Sequence, residues 1–163
     1  MFTGLNVLRA NFAKAHNDTL SVEYSHSYLF FYDQLEKANL MLQGAINTAN
    51  KPLDHNDVTF FFKHPINDGG TFCGVADLVE KYGLVPMSVV PETYSSENTS
   101  RMARIISSKL REYGLELRQM VANKKKDSDI QKRKTEMLSD LMEEEERVSP
   151  WRWWKGSWKD QNP

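Results

Sequence analysis

The spacing of apolar residues predicts long helices in three parts of the chain. Residues 3–16 carry apolar side chains at intervals of three and four, typical of a helix with one buried face: Leu5, Leu8, Phe12 and Ala15. Residues 25–47 continue such a stripe: Phe31, Leu35, Ala38, Leu42 and Ile46. Residues 100–122 hold a third: Met102, Ile105, Ile106, Leu110, Tyr113, Leu117 and Met120. The core is therefore expected to be mainly helical.

Shorter elements are predicted between these helices. The apolar run before Pro65 indicates one or two helical turns, with Asp54 or Asp57 as the cap. A further helix is expected to end at Gly83, where a left-handed cap residue belongs. Its buried face would carry four residues: Phe72, Val75, Ala76 and Val79. The prolines within residues 84–98 predict an extended segment. A short extended pair is expected over residues 84–92.

The last forty residues are strongly charged or rich in tryptophan. The basic run "NKKKDSDIQKRK" predicts a solvated loop and the acidic run "MEEEER" a solvated helix face. Four residues there can be buried: Ile130, Met137, Leu138 and Leu141. All four tryptophans lie in "WRWWKGSWKDQNP", which is interpreted as a disordered end or a terminus foreign to the natural protein. A membrane-interface or base-stacking segment is the alternative.

Composition narrows the class of protein. A chain of 163 residues is sized for one core, and 21 basic against 22 acidic residues do not indicate a nucleic-acid partner. The absence of a long apolar run argues against a membrane partner and, with no signal peptide pattern, for a cytoplasmic protein. A single cysteine excludes an intrachain disulfide, and four scattered histidines give no metal-ligand spacing.

Five motifs carry a family resemblance. In chain order they are "SHSYLFFYDQLEKAN", "HPINDGG", "EKYGLVP", "PETYSSENTSRM" and "KLREYGLELRQMV". With them, residues 1–141 resemble the bleomycin hydrolase family, papain-like cysteine aminopeptidases that include bacterial aminopeptidase C. The resemblance implies a mainly α fold: the helical left-hand half of a papain-like α+β peptidase, with little strand. Residues 142–163 would then be an atypical charged and Trp-rich tail.

The resemblance also implies a chemistry. A thiolate would attack an N-terminal peptide bond and form an acyl-enzyme, without a metal or organic cofactor, in a cytoplasmic homo-hexamer that acts on peptides. The nucleophilic cysteine is expected just before Met1, and the family's histidine and asparagine lie beyond the matched residues. No catalytic residue is therefore expected here, and this chain alone should be inactive. Cys73 is expected to be a partly buried bystander on the apolar face of its helix.

Residues 67–72 are expected to line the peptide cleft: Asn67, Asp68, Gly69, Gly70, Thr71 and Phe72. Glycines would let an extended peptide backbone come close, while Thr71 and Phe72 depart from the family's Gln-Trp. A simple turn before a helix is the alternative. Nearby, Glu92, Tyr94 and Glu97 fit the family as well as a turn that caps the next helix.

Two rival readings of the whole chain remain open. It could be a free-standing helical module that binds peptides or regulates a partner without catalysis. Alternatively, the sequence could be an artefact of gene prediction or cloning, with the natural protein beginning upstream and continuing past residue 141.

Overall fold

The computed structural model describes residues 2–16, 22–67, 69–92 and 99–148, and these ranges are mainly helical, as predicted. Within them lie the helices α1 (Phe2–His16), α2 (His26–Asn47), α3 (Asn56–Lys63), α4 (Phe72–Tyr82), α5 (Ser100–Ala122) and α6 (Asp127–Val148). An isolated antiparallel bridge joins Tyr24 and Pro86. The Trp-rich tail, Asp68, Tyr94 and Glu97 fall outside the described residues, and the predicted boundary after Leu141 stays a prediction.

The chain divides into two compact units. Among the described residues, unit 1 comprises 2–16, 22–33 and 69–92, which include α1, the start of α2, and α4. Unit 2 comprises 34–67 and 99–148, which include the rest of α2 together with α3, α5 and α6. Each unit has its own buried cluster.

Unit 2 is built around an aliphatic core of nine buried residues: Ala38, Met41, Leu42, Ile106, Leu110, Leu117, Ile130, Met137 and Leu141. Five of the nine belong to the predicted stripes of α2 and α5, which are thereby confirmed in this unit: Ala38, Leu42, Ile106, Leu110 and Leu117. Two glycines let α3 approach closely. A Cβ on Gly44 would lie 2.6 Å from the Phe61 ring, and one on Gly114 would lie 2.9 Å from Phe62.

The predicted loop over residues 123–134 is wrong for most of its length. Helix α6 already begins at Asp127, and Asp127 and Asp129 lie in its first turn. Their negative charges lie near the partial positive charge at the start of the helix. This favourable interaction offsets the unfavourable effect of the nearby lysines. Ile130 is buried together with Met137 and Leu141 of the same helix, and these three residues anchor α6 on the core of unit 2.

Unit 1 has a smaller core with aromatic character: Leu5, Tyr28, Leu29, Leu78 and Val90 are buried. Burial raises the pKa of Tyr28 to about 12, with Tyr32 adding to the effect. The Tyr28 hydroxyl donates a hydrogen bond of 2.7 Å to the Tyr82 carbonyl. The predicted face of α1 is only partly right, since Leu5 is buried but Phe12 is 46% exposed. The Phe12 ring stacks instead on His16 of the same helix, at 4.1 Å.

The predicted face of α4 needs a similar correction. Val75 is buried, as expected, but Phe72 is 57% exposed and Ala76 is exposed, while Leu78 is buried instead. The helix turns its Val75 side toward α1, where a close contact with Gly4 fixes its orientation. Phe72 lies one turn earlier and projects beyond that contact.

Caps and connections also differ in part from the predictions. Helix α3 is present, but its N-cap is His55, whose ring accepts from the Asp57 amide, rather than Asp54 or Asp57. Gly83 ends α4 with φ of 77°, which confirms its predicted role. The predicted extended pair over residues 84–92 is wrong, because the Val89 and Val90 amides donate to the Pro86 carbonyl in a turn. The segment bonds instead to the residues before α2: the Met87 amide donates to the Glu23 carbonyl, and the Val85 carbonyl accepts from the Ser25 amide.

Candidate functional site

The predicted peptide-binding residues of unit 1 form a short exposed segment in front of α4. Gly69, Gly70 and Thr71 lie outside helices, and Phe72 is the first helical residue. Thr71 is the N-cap, because its Oγ1 accepts a hydrogen bond of 3.3 Å from the Gly74 amide. We call Gly69–Phe72 the Gly-Gly segment. All four residues are exposed, including Phe72, although a residue as apolar as Phe72 is usually buried.

Neither the backbone conformation nor the packing of the fold requires glycine at position 70. Its φ is not positive, unlike that of Gly83, so no backbone strain requires glycine there. A Cβ added at Gly70 would meet nothing within 4 Å, whereas one added at Gly4, Gly44 or Gly114 would be crowded. The open space in front of this backbone is therefore accessible to a ligand.

The structure does not bring all six predicted residues into one described group. Asn67 belongs to unit 2, where its carbonyl accepts a hydrogen bond of 2.7 Å from Lys37 Nζ. Asp68 lies outside the described residues. The role of Asn67 and Asp68 in a cleft thus remains a prediction.

Cys73 follows the Gly-Gly segment directly, in the first turn of α4. Its thiol is exposed, so the prediction that it is partly buried is wrong. In a papain-like enzyme the catalytic thiolate is paired with a histidine within hydrogen-bond reach. Three of the four histidines have other neighbours: His16 contacts the Phe12 carbonyl, His55 caps α3, and His26 lies beside Glu92.

Sequence reasoning missed a polar cluster at the start of α2. The Glu92 carboxylate accepts hydrogen bonds from the amides of His26 and Ser27, at 3.2 and 3.1 Å, and from the Ser27 hydroxyl. His26 Nδ1 lies 3.9 Å from the same carboxylate. Glu92 therefore caps α2, which precedes it, rather than the next helix. The sequence had indicated only two roles for Glu92, as a family residue or as part of a turn that caps the next helix. It could not indicate these partners, because they lie 65 and 66 positions earlier in the chain.

Serine, histidine and glutamate meet in this cluster, but not as a catalytic triad. In a triad the serine hydroxyl donates to histidine, whereas Ser27 donates to Glu92 and is only 8% exposed. The pKa of His26 is lowered by burial, which outweighs the opposing effects of Glu92 and Glu23. The cluster is thus a helix cap in which a neutral imidazole is favoured.

A small cavity of about 90 Å³ lies next to this cap. Its lining includes Leu5, Asn6, Arg9, Glu23, Tyr24, His26 and Met87. Arg9 and Glu23 form an ion pair of 3.5 Å at this cavity. Ligand pockets usually measure roughly 300 to 1,000 Å³, so this cavity is too small to be a peptide cleft.

The described ranges contain neither a metal-binding cluster nor a helix that could cross a membrane. There, no group of three or more histidine, cysteine, aspartate or glutamate residues is arranged to hold a metal ion. Likewise, none of the described helices combines the length and apolarity that crossing a membrane requires.

Comparison with known proteins gives concordant results. A model of the Peptidase C1-like family matches residues 1–144. Aminopeptidase C of Lactobacillus delbrueckii subsp. lactis is 39% identical over 138 residues, covering 85% of this chain and 30% of that protein. Bleomycin hydrolase of Gallus gallus is 43% identical over 124 residues, covering 75% of this chain and 27% of that protein.

A solved structure is also similar. The crystal structure of PepW from Lactobacillus rhamnosis HN001 aligns with a TM-score of 0.80 at 38% identity, covering 86% of this chain and 31% of that one. The chain spans only about 30% of the length of the two relatives named above.

Proposed function

Because the chain belongs to the Peptidase C1-like family, we propose that its Gly-Gly segment holds the backbone of a peptide substrate in a cysteine aminopeptidase. The observation that carries this proposal is Gly70, whose missing side chain neither φ nor packing requires. A glycine backbone lets a second, extended backbone approach to hydrogen-bond distance. Phe72, with 57% of its surface exposed, offers an apolar contact beside it.

The proposed reaction of the intact enzyme follows from this family. A thiolate attacks the carbonyl carbon of the first peptide bond, and the C–N bond breaks as the leaving amine takes a proton from histidine. Water then hydrolyses the thioester, which releases the N-terminal amino acid and restores the thiol. In this scheme the Gly-Gly segment binds substrate and transfers no proton.

We propose further that residues 1–163 alone do not catalyse this reaction. Cys73 is the single cysteine of the sequence, and the family resemblance does not assign the nucleophile to its position in α4, directly after the Gly-Gly segment. Release of fluorophore from aminoacyl-coumarin substrates by the purified chain should equal that of a Cys73→Ser variant. Turnover that disappears in Cys73→Ser would overturn this part of the proposal.

Peptide binding tests the role of Gly70. Calorimetric titration of the monodisperse chain with a short peptide carrying a free N-terminus should show binding without turnover. Gly70→Ala should weaken it about tenfold, since a methyl group placed between two paired backbones breaks a hydrogen bond worth about 0.5–1.5 kcal/mol. The melting temperature should not fall, because the added methyl meets open space.

Gly74→Ala is the matched control. It adds the same methyl group four residues later, inside α4, in ordinary contact with Thr71 Oγ1 at 3.7 Å. Peptide affinity should be unchanged. Equal affinities of the parent chain, Gly70→Ala and Gly74→Ala would reject the Gly-Gly segment as the binding element.

A free-standing peptide-binding or regulatory module is the second candidate. It is favoured by one observation: each unit has its own buried cluster, so the chain has cores of its own. Both candidates predict peptide binding. They differ in whether adding the remaining two thirds of a related aminopeptidase chain generates turnover, which a regulatory module would not support.

The assembly and location of the intact enzyme are likewise proposals. The family resemblance supports a cytoplasmic homo-hexamer that acts on peptides and needs no metal or organic cofactor. Sedimentation of the intact enzyme would test the hexamer, and a single subunit mass at micromolar concentration would contradict it.

A further inference from the structure

Helices α1 and α4 meet at an unusually close contact between Gly4 and Val75. A Cβ placed on Gly4 would lie 3.2 Å from Val75 Cγ1 and 3.5 Å from its Cβ. Both residues are buried within unit 1. Since most real Cβ contacts are longer than 3.4 Å, any side chain at position 4 must push Val75 away by a few tenths of an ångström.

Glycine at position 4 is otherwise unfavourable. It lies within α1, where glycine is about 1 kcal/mol less favourable than alanine. Its φ is not in the positive range, so the helix backbone does not require it. The close approach of Val75 is the feature of the described structure that accounts for it.

Val75 is rigidly linked to the Gly-Gly segment. Its amide donates a hydrogen bond of 3.3 Å to the Thr71 carbonyl, and the Gly74 amide donates to Thr71 Oγ1. These bonds hold Thr71 and Phe72 to the first turn of α4. A displacement of the Val75 backbone would therefore also move Thr71, the residue that these bonds join to the first turn of α4.

We propose that Gly4 is a positioning residue for peptide binding: by letting Val75 touch α1, it sets where the Gly-Gly segment lies. This inference rests on the proposed function of that segment. Binding sites tolerate misplacements of only about 0.5 Å, and an error of 1 Å costs up to about 100-fold. A shift of a few tenths of an ångström should thus weaken peptide binding about threefold to tenfold.

The test uses Gly4→Ala, Val75→Ala and the double variant in the full chain. Gly4→Ala should raise the peptide Kd about threefold to tenfold. The double variant should regain the parent affinity, because Val75→Ala removes Cγ1 and leaves the new methyl only the Cβ at 3.5 Å. Its melting temperature should nevertheless fall below that of Gly4→Ala, since buried methyl groups are lost. Affinity and stability then move in opposite directions, which a purely structural role of Gly4 does not predict.

Cys73 provides a second measurement that needs no peptide. A fluorine label on this single, exposed thiol reports the environment of the first turn of α4, two residues before Val75. Its resonance should shift in Gly4→Ala and return in the double variant. Gly114→Ala is the control, because it crowds Phe62 in unit 2 and should change stability without changing the Kd or the resonance.

The outcomes separate the two proposals. If Gly4→Ala leaves the parent Kd and the fluorine resonance unchanged, or if the double variant restores neither, the positioning role of Gly4 is rejected. If the parent chain binds no peptide, the proposed function fails and with it the binding role of Gly4, even where the fluorine resonance shifts.

Discussion

Units 1 and 2 are stabilised in different ways. Unit 2 buries nine aliphatic residues from α2, α5 and α6, and α3 packs on them through Phe61 and Phe62. The core cluster of unit 1 has five buried residues, Tyr28 among them, and the loops of this unit are held by the Glu92 hydrogen bonds and the bridge at Tyr24. The exposed Gly-Gly segment belongs to unit 1. The candidate site thus lies in the unit whose geometry depends on few apolar contacts and on specific polar contacts.

The two ends of α2 show the same contrast. At its start, in unit 1, the Glu92 carboxylate accepts from two backbone amides. At its end, in unit 2, buried Arg118 donates to the Thr48 carbonyl at 2.7 Å and to the Lys51 carbonyl. Each charge has the sign that the helix dipole favours. Arg118 is buried on α5, while Glu92 lies in a segment outside the helices.

Removing a core leucine of unit 2 should have the largest effect. Leu117 is fully buried, so Leu117→Ala should lower the free energy of unfolding by about 3 kcal/mol through the cavity it leaves. Urea unfolding followed by circular dichroism measures this. Leu115→Ala, on the same helix but 48% exposed, should cost far less. Equal losses would contradict the assignment of α5 as the wall of this core.

Replacing the buried guanidinium should come next. Arg118→Lys keeps the charge, but one ammonium cannot reproduce the fork that bonds Thr48 and Lys51, so we expect a loss of about 2 kcal/mol. Burial already lowers the pKa of Arg118, a sign that little water can replace the lost bonds. Thermal melts of Arg118→Lys and of the exposed control Arg104→Lys make the comparison. A lysine that restores full stability would show that charge alone matters at this end of α2.

Weakening the cap in unit 1 should have a smaller effect. Glu92→Gln removes the carboxylate charge while keeping the shape, and should cost about 1 kcal/mol. Hydrogen exchange at the His26 and Ser27 amides should quicken, while exchange in α5 stays unchanged. The control is Glu80→Gln on the exposed face of α4. Unchanged exchange at both amides would mean that Glu92 does not cap α2 in solution.

Lowering the pH should have the smallest effect on stability, and this effect should be confined to unit 1. Because burial lowers the pKa of His26 below 6.5, the unfolded chain binds a proton more readily than the folded one. The contribution of His26 is therefore complete above pH 6.5 and is lost as pH falls toward its folded pKa.

Denaturant unfolding between pH 7 and pH 5 measures this dependence, and His26→Gln should reduce it. If the variant keeps the full pH dependence of the parent chain, other groups are responsible. Stability that rises on acidification through His26 would mean that its pKa is raised rather than lowered.

Much of the fold could be predicted because helical periodicity is a local property. The stripes of α2 and α5, the short helix α3 and the cap at Gly83 all follow from residues a few positions apart. The family resemblance was likewise confirmed, since it rested on long ordered motifs. Predictions that required knowledge of a partner surface were wrong: Phe72 is exposed, and a helix begins at Asp127 within a basic run.

For the candidate site, the sequence by itself determined that two glycines precede a helix, and it predicted that this segment lines a peptide cleft. Only the tertiary structure decided that Gly70 faces open space, that Val75 touches Gly4, and that Glu92 caps a helix 65 positions before it. Periodicity reports which side of a helix is apolar, because its residues repeat every 3.6 positions. It cannot report which distant surface fills that side, because such contacts depend on how separate segments pack together.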